Sequence, residues 1–234
     1  ALQREGIRVA TPLWLEESGN VLGRPFFVME RVRGETLPLY WYGGRSRRLE
    51  ACAETLARIH EVSAGAVADA FGTETEYEAW QRRAAGAGIE GYPLLIKLGG
   101  WLERNEPLDV RIAVLHGDPN PGNYLFDGDR VAAVLDWELA AIGDPRSDLG
   151  FYAALLAIFG GAGMRGGRTL LSEAYADVTG TQLSSLEYYA AFGLYRMAVI
   201  AAGWGRRMGD TSGYFLMEPI ERELAVLLGP RWGG

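Results

Sequence analysis

The chain has 234 residues, of which 48% are hydrophobic and 23% are charged, so it can bury a core and differs from intrinsically disordered sequences. Its net charge of −7 disfavours nucleic acid as a partner, because strong binding to a phosphate backbone requires a basic surface. The same acidity would suit a cationic small substrate, but it also serves solubility, which is the simpler interpretation.

Three features of the sequence bear on the cellular location of the protein. Cys52 is the only cysteine, so no internal disulfide can form, and its place in an apolar helical pattern predicts a buried thiol. Residues 1–13 lack the basic and apolar regions of a signal peptide, and the most apolar stretch, 151–164, is too short to span a membrane. We therefore expect a cytoplasmic location and no membrane partner; the oligomeric state is left open.

In chain order, the pattern first predicts two strands over 12–17 and 26–32, followed by an amphipathic helix over 45–62. Later, residues 124–126 and 131–135 predict a hairpin that turns around Asp127-Gly128-Asp129. Further helices are predicted at 73–85, 93–104, 147–159, 168–178, 184–206 and 214–228. Because strands and helices do not alternate, the order disfavours a doubly wound sheet and predicts an α+β fold.

The segment 116–148 carries the residues that point to chemistry. Asp118 and Asn123 lie in a Pro- and Gly-rich loop, and the predicted hairpin runs from Asn123 to Asp136. A hairpin returns its second strand to the start of the first, so Asn123 and Asp136 should lie close together, with their side-chain oxygens roughly 4–5 Å apart if both bind one Mg²⁺ ion. Asp118, if it is not neutralised by the metal, could accept a proton from a hydroxyl group. A loop of turn-forming Asp and Asn residues beside a hairpin is the alternative without chemistry.

The order of motifs in this segment resembles the aminoglycoside phosphotransferase-like kinase family. The motifs are His116-Gly117-Asp118 with Asn123 five residues later, then Asp136-Trp137-Glu138, then Gly143-Asp144-Pro145 with Asp148. The amino-acid sequence of this segment is most similar to that of the phosphotransferase domain fused to some acyl-CoA dehydrogenases. The resemblance implies a protein-kinase-like fold with a mostly helical C-terminal lobe, a catalytic β-hairpin and a remnant of the N-terminal lobe sheet.

By the same resemblance, Asp118 is the catalytic base, Asn123 and Asp136 bind Mg²⁺ and the nucleotide, and ATP is the phosphoryl donor, with GTP as the alternative nucleotide. Residues 1–33 would be the end of the nucleotide lobe and the hinge. Residues 34–234 would form the catalytic and substrate-binding lobe.

The segment from Phe26 to Val32 resembles the last strand of the nucleotide lobe and the hinge of kinases. This resemblance implies that the Glu30 carbonyl and the Val32 N–H bind the adenine edge, while Met29 packs behind the base. An ordinary buried end of a strand remains the alternative, because backbone contacts tolerate many side chains.

Other polar and aromatic residues are interpreted as structural. His116 is expected to brace the loop, His60 to be a structural histidine, and Asp144 and Asp148 to brace loops or cap helices. The Gly-rich segment 160–167 lacks the Lys-Ser/Thr end of a P-loop and is interpreted as a connection between helices. The remaining aromatic residues at helical spacing are expected to pack in the core rather than form a substrate pocket: Tyr188, Tyr189, Phe192 and Tyr195.

The chain departs from the family pattern in its nucleotide lobe. Only residues 1–25 precede Phe26, they contain no Gly-rich loop followed by a lysine strand, and the only lysine, Lys97, lies later among helices. We therefore expect a fragment of a longer protein, or alternatively a lobe that lost its function. Such a chain should fold in large part, expose an apolar face on its first two strands, and transfer phosphate poorly by itself.

The function expected from the sequence is ATP-dependent phosphorylation of a hydroxyl group on a small molecule. A catalytically silent, pseudokinase-like binding module is the alternative, and a metal-dependent hydrolase would need a denser set of metal ligands. The acceptor is left open between antibiotics and metabolites. The Asp136-Trp137-Glu138 motif slightly favours hydroxyacyl compounds or other metabolites over antibiotics as the acceptor.

Overall fold

The computed structural model describes residues 1–38, 44–71, 74–160, 166–209 and 211–233. Within these ranges the helices are α1 (Arg47–Glu61), α2 (Ala64–Phe71), α3 (Glu76–Ala87), α4 (Pro93–Arg104), α5 (Pro145–Phe159), α6 (Leu170–Thr179), α7 (Leu186–Met208), α8 (Met217–Leu228) and α9 (Pro230–Gly233). The strands are β1 (Pro12–Glu16), β2 (Phe26–Met29), β3 (Glu35–Thr36), β4 (Ala113–Leu115), β5 (Tyr124–Asp127), β6 (Arg130–Val134) and β7 (Ala141–Gly143).

Local capping explains where several helices begin. At α1, the Ser46 side chain accepts a hydrogen bond from the Leu49 N–H. At α3, Thr75 and Glu78 form a reciprocal capping box. At α5, Asp144 is the cap and is followed directly by a proline, a residue favoured in the first helical turn. These side chains bind backbone N–H groups that would otherwise have no partner within the helix.

The core has two parts, and both of them pack around the predicted catalytic segment. One cluster is centred on α7 and includes residues of α3, α4, α5 and α8; the other joins α1 and α6 to β5 and β6. Helices α5 and α7 cross at Gly150, where a Cβ atom would lie 2.3 Å from the backbone of Tyr189. This close approach fixes α5, and hence the Asp148 side chain in its first turn, against the centre of the molecule.

The strands form three small antiparallel sheets, in the orders β1-β2, β3-β5-β6 and β4-β7. The predicted hairpin is confirmed as β5 and β6, with Tyr124 opposite Val134. Residues before β1 also join this region: Ile7 is buried, and the Val134 N–H donates to the Arg8 carbonyl over 2.8 Å. The catalytic hairpin is therefore held from both its edges.

The first two strands were predicted correctly, although β2 ends at Met29 rather than at residue 32. They form a two-stranded ribbon whose large apolar side chains are largely in solvent, with Leu13 and Phe27 both 62% exposed. Exposed ribbon faces of this kind are candidates for packing against further protein. This agrees with the exposed apolar face expected from the sequence.

Some elements differ from the sequence predictions. The helix predicted over 73–85 begins only at Glu76, and α2 was not predicted, because its short Ala- and Gly-containing segment lacks a clear amphipathic repeat. Part of the predicted connection at 160–167 falls outside the described residues, as do residues 39–43 of the loop after Gly34. Within the described ranges, none of the helices combines the length and the apolar character needed to span a membrane.

Candidate active site

The loop that carries the predicted base, residues 116–123, is called the catalytic loop below; it begins where β4 ends, and its backbone path depends on Gly117. Gly117 has a φ of +87°, a left-handed conformation that glycine adopts without steric cost. A Cβ atom at this position would lie 2.0 Å from the carbonyl oxygen of Leu139, well inside van der Waals contact. The loop therefore passes directly over the segment that follows Asp136, which brings the two predicted site regions together.

Asp148 holds the start of this loop from below. Its buried carboxylate accepts hydrogen bonds from the His116 N–H (2.9 Å) and the Gly117 N–H (2.7 Å) and lies 3.0 Å from Nε2 of His60. Burial alone would raise the pKa of Asp148, but the hydrogen bond and charge of His60, together with the His116 backbone N–H, bring the pKa below its usual value. The predicted bracing role of Asp148 is confirmed.

The two histidines have structural roles, as the sequence predicted. His116 Nδ1 accepts from the Asp118 N–H (3.2 Å), so its proton belongs on Nε2, which donates to the Leu135 carbonyl (2.8 Å). Burial lowers the pKa of His116, which favours this neutral form. The buried His60 ring contacts the Tyr175 hydroxyl at 2.9 Å as well as Asp148. Through Leu135, His116 ties the catalytic loop to the residue just before Asp136.

Hydrogen bonds within the loop orient the predicted base and the predicted metal ligand. One oxygen of the half-buried Asp118 carboxylate accepts from the Asn120 amide (2.9 Å), while its other oxygen has no partner among the described residues. The Asn123 amide group donates to the Asp118 main-chain carbonyl (2.8 Å). That bond fixes the amide orientation and leaves the Asn123 Oδ1 atom available to a cation.

Asp136 stands at the other end of the hairpin in an unusual backbone conformation. Its φ is +61°, a left-handed value that aspartate tolerates better than most residues and that is often found at functional sites. The preceding Leu135 N–H donates to the Asn123 carbonyl (2.8 Å), so the two hairpin ends are adjacent. Asp136 is exposed, as a ligand for a metal–nucleotide complex would need to be. The separation predicted for the Asn123 and Asp136 side-chain oxygens stays a prediction.

A buried ion pair that sequence reasoning missed supports the loop from the other side. Arg196 of α7 donates to the Gly117 carbonyl, and its Nη1 lies 2.9 Å from Glu76 of α3. The contact between Arg196 Nη1 and Glu76 Oε1 is therefore an ion pair without hydrogen-bond geometry, and Oε1 has no hydrogen-bond donor among the described residues. Burial raises the pKa of Glu76, which the Arg196 charge partly offsets. The only sign of this ion pair in the sequence was an arginine, Arg196, within an apolar helical pattern.

Other predicted structural roles are confirmed. Burial raises the pKa of the Cys52 thiol, which is fully enclosed. Asp144 caps α5 and forms a 2.8 Å ion pair with Arg146. Tyr189, Phe192 and Tyr195 are buried core residues, although the first two also border, together with Tyr188, a cavity of about 520 Å³ behind the β4-β7 sheet.

The three predicted hinge residues lie where β2 leads toward the catalytic hairpin. The Glu30 N–H donates to the Thr11 carbonyl (2.9 Å), which closes the β1-β2 ribbon. The chain then passes Val32 and enters β3, which pairs with β5. Met29 is 48% exposed, and its predicted contact with a base stays a prediction. Within the described residues, no group of three or more His, Cys, Asp or Glu side chains could hold a metal ion.

Replacing Gly117 by alanine should damage the site without unfolding the rest of the molecule. The added methyl group must displace the Leu139 segment or the loop, and misplacement of reacting groups by about 1 Å costs roughly 10²-fold in rate. The measurement is kcat for the predicted phosphoryl transfer, with circular dichroism as the check on folding. Gly128→Ala in the hairpin turn is the control, because Gly128 has a similarly left-handed φ of +62° but a Cβ atom there meets nothing within 4 Å, so the pair isolates the steric clash. Equal kcat for both variants would contradict the steric role of Gly117.

Solved structures identify the class of fold. A putative aminoglycoside phosphotransferase from Ralstonia eutropha superposes with a TM-score of 0.70 at 25% identity, over 99% of this chain and 79% of that one. An aminoglycoside phosphotransferase solved with ADP and hygromycin B superposes with a TM-score of 0.63 at 13% identity, over 93% and 77% of the two chains. The chain therefore has the α+β, protein-kinase-like fold of small-molecule phosphotransferases, as predicted.

The sequence comparisons then give the family. The phosphotransferase enzyme family matches residues 1–182, so the chain belongs to that family. Acyl-CoA dehydrogenase family member 10 of Mus musculus is 32% identical over 164 residues, which are 64% of this chain and 15% of that protein. Family member 11 of Homo sapiens is 32% identical over 167 residues, or 65% and 21%. The predicted resemblance is confirmed, and the chain spans only a small part of these curated relatives.

Proposed function

We propose that the chain is the catalytic lobe of a phosphotransferase that moves the γ-phosphoryl group of ATP to a hydroxyl group on a small molecule. One observation carries the proposal: the Leu135 N–H donates to the Asn123 carbonyl, so Asn123 and Asp136 stand at adjacent ends of one hairpin. The Asp118 loop is hydrogen-bonded to Asn123 and to Leu135, the residue before Asp136. Phosphoryl transfer depends on positioning and on charge stabilisation, which such a fixed cluster can provide.

In the proposed reaction, the acceptor oxygen bonds to the γ-phosphorus as the bond from that phosphorus to the bridging oxygen of ATP breaks. The electron pair of the broken bond leaves with ADP, and the acceptor proton passes to the Asp118 carboxylate. The Asn120 amide, which donates to one Asp118 oxygen, leaves the other oxygen for the acceptor hydroxyl. Asp118 therefore orients the nucleophile and takes its proton.

The residues at the hairpin ends fit a magnesium ion. Asn123 Oδ1 and the Asp136 carboxylate are hard oxygen donors. Within the described residues, no hydrogen-bond donor contacts either group, and Asp136 forms no ion pair. Mg²⁺ takes a few such protein ligands and completes its shell with water and phosphate oxygens. When bound, the ion would neutralise charge on the phosphate groups. Asn123 and Asp136 would hold the nucleotide phosphates at a fixed distance from Asp118.

The proposed adenine site is the segment after β2. The β1-β2 ribbon closes through the Glu30 N–H, and β3 continues into the catalytic hairpin, so the segment joins two elements that flank a nucleotide cleft in this fold. Glu30 would accept a hydrogen bond from the base through its carbonyl, Val32 would donate one, and Met29 would pack against the ring. Solved neighbours with ADP support an adenine nucleotide, and GTP is the alternative donor.

A nucleotide-binding module without turnover is the second candidate. The observation in its favour concerns the lysine that the family pattern places on a strand of the nucleotide lobe. The only lysine of this chain, Lys97, lies instead on α4, with its Nζ atom 4.3 Å from the Trp232 ring. It is thus engaged in a structural contact. The two candidates differ in a direct assay: labelled γ-phosphate should move from ATP to an acceptor in the 234-residue chain or in the longest natural protein that carries it. Nucleotide binding in both forms without transfer to any acceptor would favour the module.

Replacing Asp136 by alanine should remove the Mg²⁺ dependence of nucleotide binding. Even supporting residues at metal sites contribute about 10- to 100-fold in metal affinity, so loss of a ligand should lower Mg-ADP affinity at least that much while leaving metal-free ADP unchanged. Isothermal titration calorimetry with and without Mg²⁺ measures both values. The matched control is Asp127→Ala, an exposed carboxylate on the same hairpin. Mg²⁺ dependence that survives in Asp136→Ala would remove this residue from the metal site.

A further inference from the structure

A groove of about 670 Å³ opens beside the catalytic loop, between α3, α7 and the segment that follows Asp136. Leu139 forms part of its wall, and the carbonyl of this residue lies directly under Gly117. Trp80 forms another part, and its ring is 5.0 Å from the guanidinium of Arg196, which binds the Gly117 carbonyl. The groove and the catalytic loop therefore share their supporting residues.

The groove is lined by positive charge, although the whole chain is acidic. Arg83, Arg206 and Arg207 line it, against one carboxylate, Glu138. In the part of the chain that the structure describes, none of these three arginines forms an ion pair with an acidic side chain. The Arg83 guanidinium lies 4.6 Å from the ring centroid of Trp80. Their charges are thus available to a ligand.

Aromatic surface adjoins this charge. Trp80 is almost fully buried and offers only the part of its ring that faces the groove, while Trp204 is 45% exposed on the opposite helix. Paired guanidinium groups bind carboxylates and phosphates with directed hydrogen bonds, and indole rings bind flat or apolar groups. One end of the arginine cluster reaches the end of α3, where the Arg206 Nη1 lies 3.1 Å from the position of a Cβ atom on Gly88.

From this combination we infer that the groove is the acceptor site and that the acceptor is an anion. It would carry a hydroxyl group for transfer, an apolar or aromatic body for the exposed Trp204 ring, and a carboxylate or phosphate group for the arginines. This inference rests on the proposed function, because the groove matters for transfer only if Asp118 is the base. It excludes aminoglycoside-like polycations as the preferred class of acceptor, since three guanidinium groups repel them.

The test uses probes that share a hydroxymethylphenyl body and differ in the group opposite it: 4-(hydroxymethyl)benzoate, 4-(hydroxymethyl)phenyl phosphate, neutral 1,4-benzenedimethanol and cationic 4-(hydroxymethyl)benzylamine. Binding to the 234-residue chain is measured by calorimetry at low and high salt. A hydrogen bond to a charged group contributes enough for about a tenfold difference in Kd, so at least one anion should bind about tenfold more tightly than the amine. The stronger of the two anions identifies carboxylate or phosphate as the recognised group. Equal or tighter binding of the amine would overturn the inference.

Variants locate the site. Arg206→Gln/Arg207→Gln should weaken binding of the preferred anion about tenfold or more, and Arg83→Gln should do so separately. Arg222→Gln, an exposed arginine on α8 outside the groove, is the control. If the arginines serve only the negatively polarised ends of α3 and α7, their loss will change the melting temperature but not anion binding, and the inference fails. The wild-type probe series needs no variant, so a variant that misfolds leaves the inference testable.

The same titrations separate this inference from the proposed function. Anion-selective binding in the groove, with neither Mg-ADP binding nor phosphoryl transfer in the longest natural protein, would leave an anion-binding module and remove the kinase function. Transfer to the neutral or cationic probe at least as fast as to both anions would keep the kinase function and remove the anionic acceptor. Transfer to an anionic probe that the arginine variants lose, with Mg-ADP affinity unchanged, supports both.

Discussion

Replacing Asp118 by alanine should lower kcat for phosphoryl transfer by about 10²- to 10⁴-fold, the usual contribution of a general base. The KM for the nucleotide should change little, because Asp118 is the proposed base for the acceptor, while Asn123 and Asp136 are the proposed nucleotide ligands. Among the residues that the structure describes, the Asp118 side chain supports its surroundings only through the Asn120 amide, and the loop backbone is held independently by Asp148 and Arg196. The variant should therefore fold normally.

The measurement is steady-state kinetics of the longest natural protein that carries this chain, with calorimetric Mg-ADP binding as a second readout. Asp127→Ala on the hairpin turn again serves as the control, since its carboxylate is 77% exposed and remote from the loop hydrogen bonds. A kcat near that of wild type would exclude Asp118 as the base. A parallel loss of Mg-ADP affinity would instead assign Asp118 to the metal site.

The sequence was most informative where a motif and a local signal agree. The helix predicted over 45–62 is found as α1, but the caps that set the exact beginnings of α1 and α3, Ser46 and the Thr75–Glu78 pair, were not used in the predictions, which began these helices at 45 and 73. The hairpin between Asn123 and Asp136 was predictable because short apolar runs flank a turn-forming Asp-Gly pair. Since a hairpin fixes its own ends, the same pattern predicts that the two proposed ligands are neighbours.

The sequence could not predict what depends on distant segments. Strands β4 and β7 are three residues each and pair across a gap that contains the whole hairpin, so neither has a periodicity of its own. The support that Arg196 gives to Gly117 spans 79 residues. The groove was unpredictable for the same reason. Its arginines come from α3 and α7, and a net charge of −7 describes the average surface rather than one cleft.

Replacing Asp148 by alanine should have the largest effect on stability. The carboxylate is fully buried and serves the His60 ring and the N–H groups of His116 and Gly117, so its removal leaves three buried polar groups without their partner. Breaking a buried, hydrogen-bonded pair on one side costs about 3–5 kcal/mol in the free energy of unfolding. Chemical denaturation measures this value. Asp177→Ala on α6 is the control, because its ion pair with Arg45 is exposed and should contribute less than about 1 kcal/mol.

The pH dependence of stability gives an independent check on Asp148. Its pKa is lower in the folded protein than in the unfolded chain, so the folded state favours the charged form. The resulting stabilisation is fully present above the unfolded pKa of about 3.9 and is lost as the pH falls through the lower folded pKa. The difference in unfolding free energy between wild type and Asp148→Asn should therefore shrink as the pH falls below about 4. A difference that stays constant down to about pH 2 would show that Asp148 acts by packing and not by its charge.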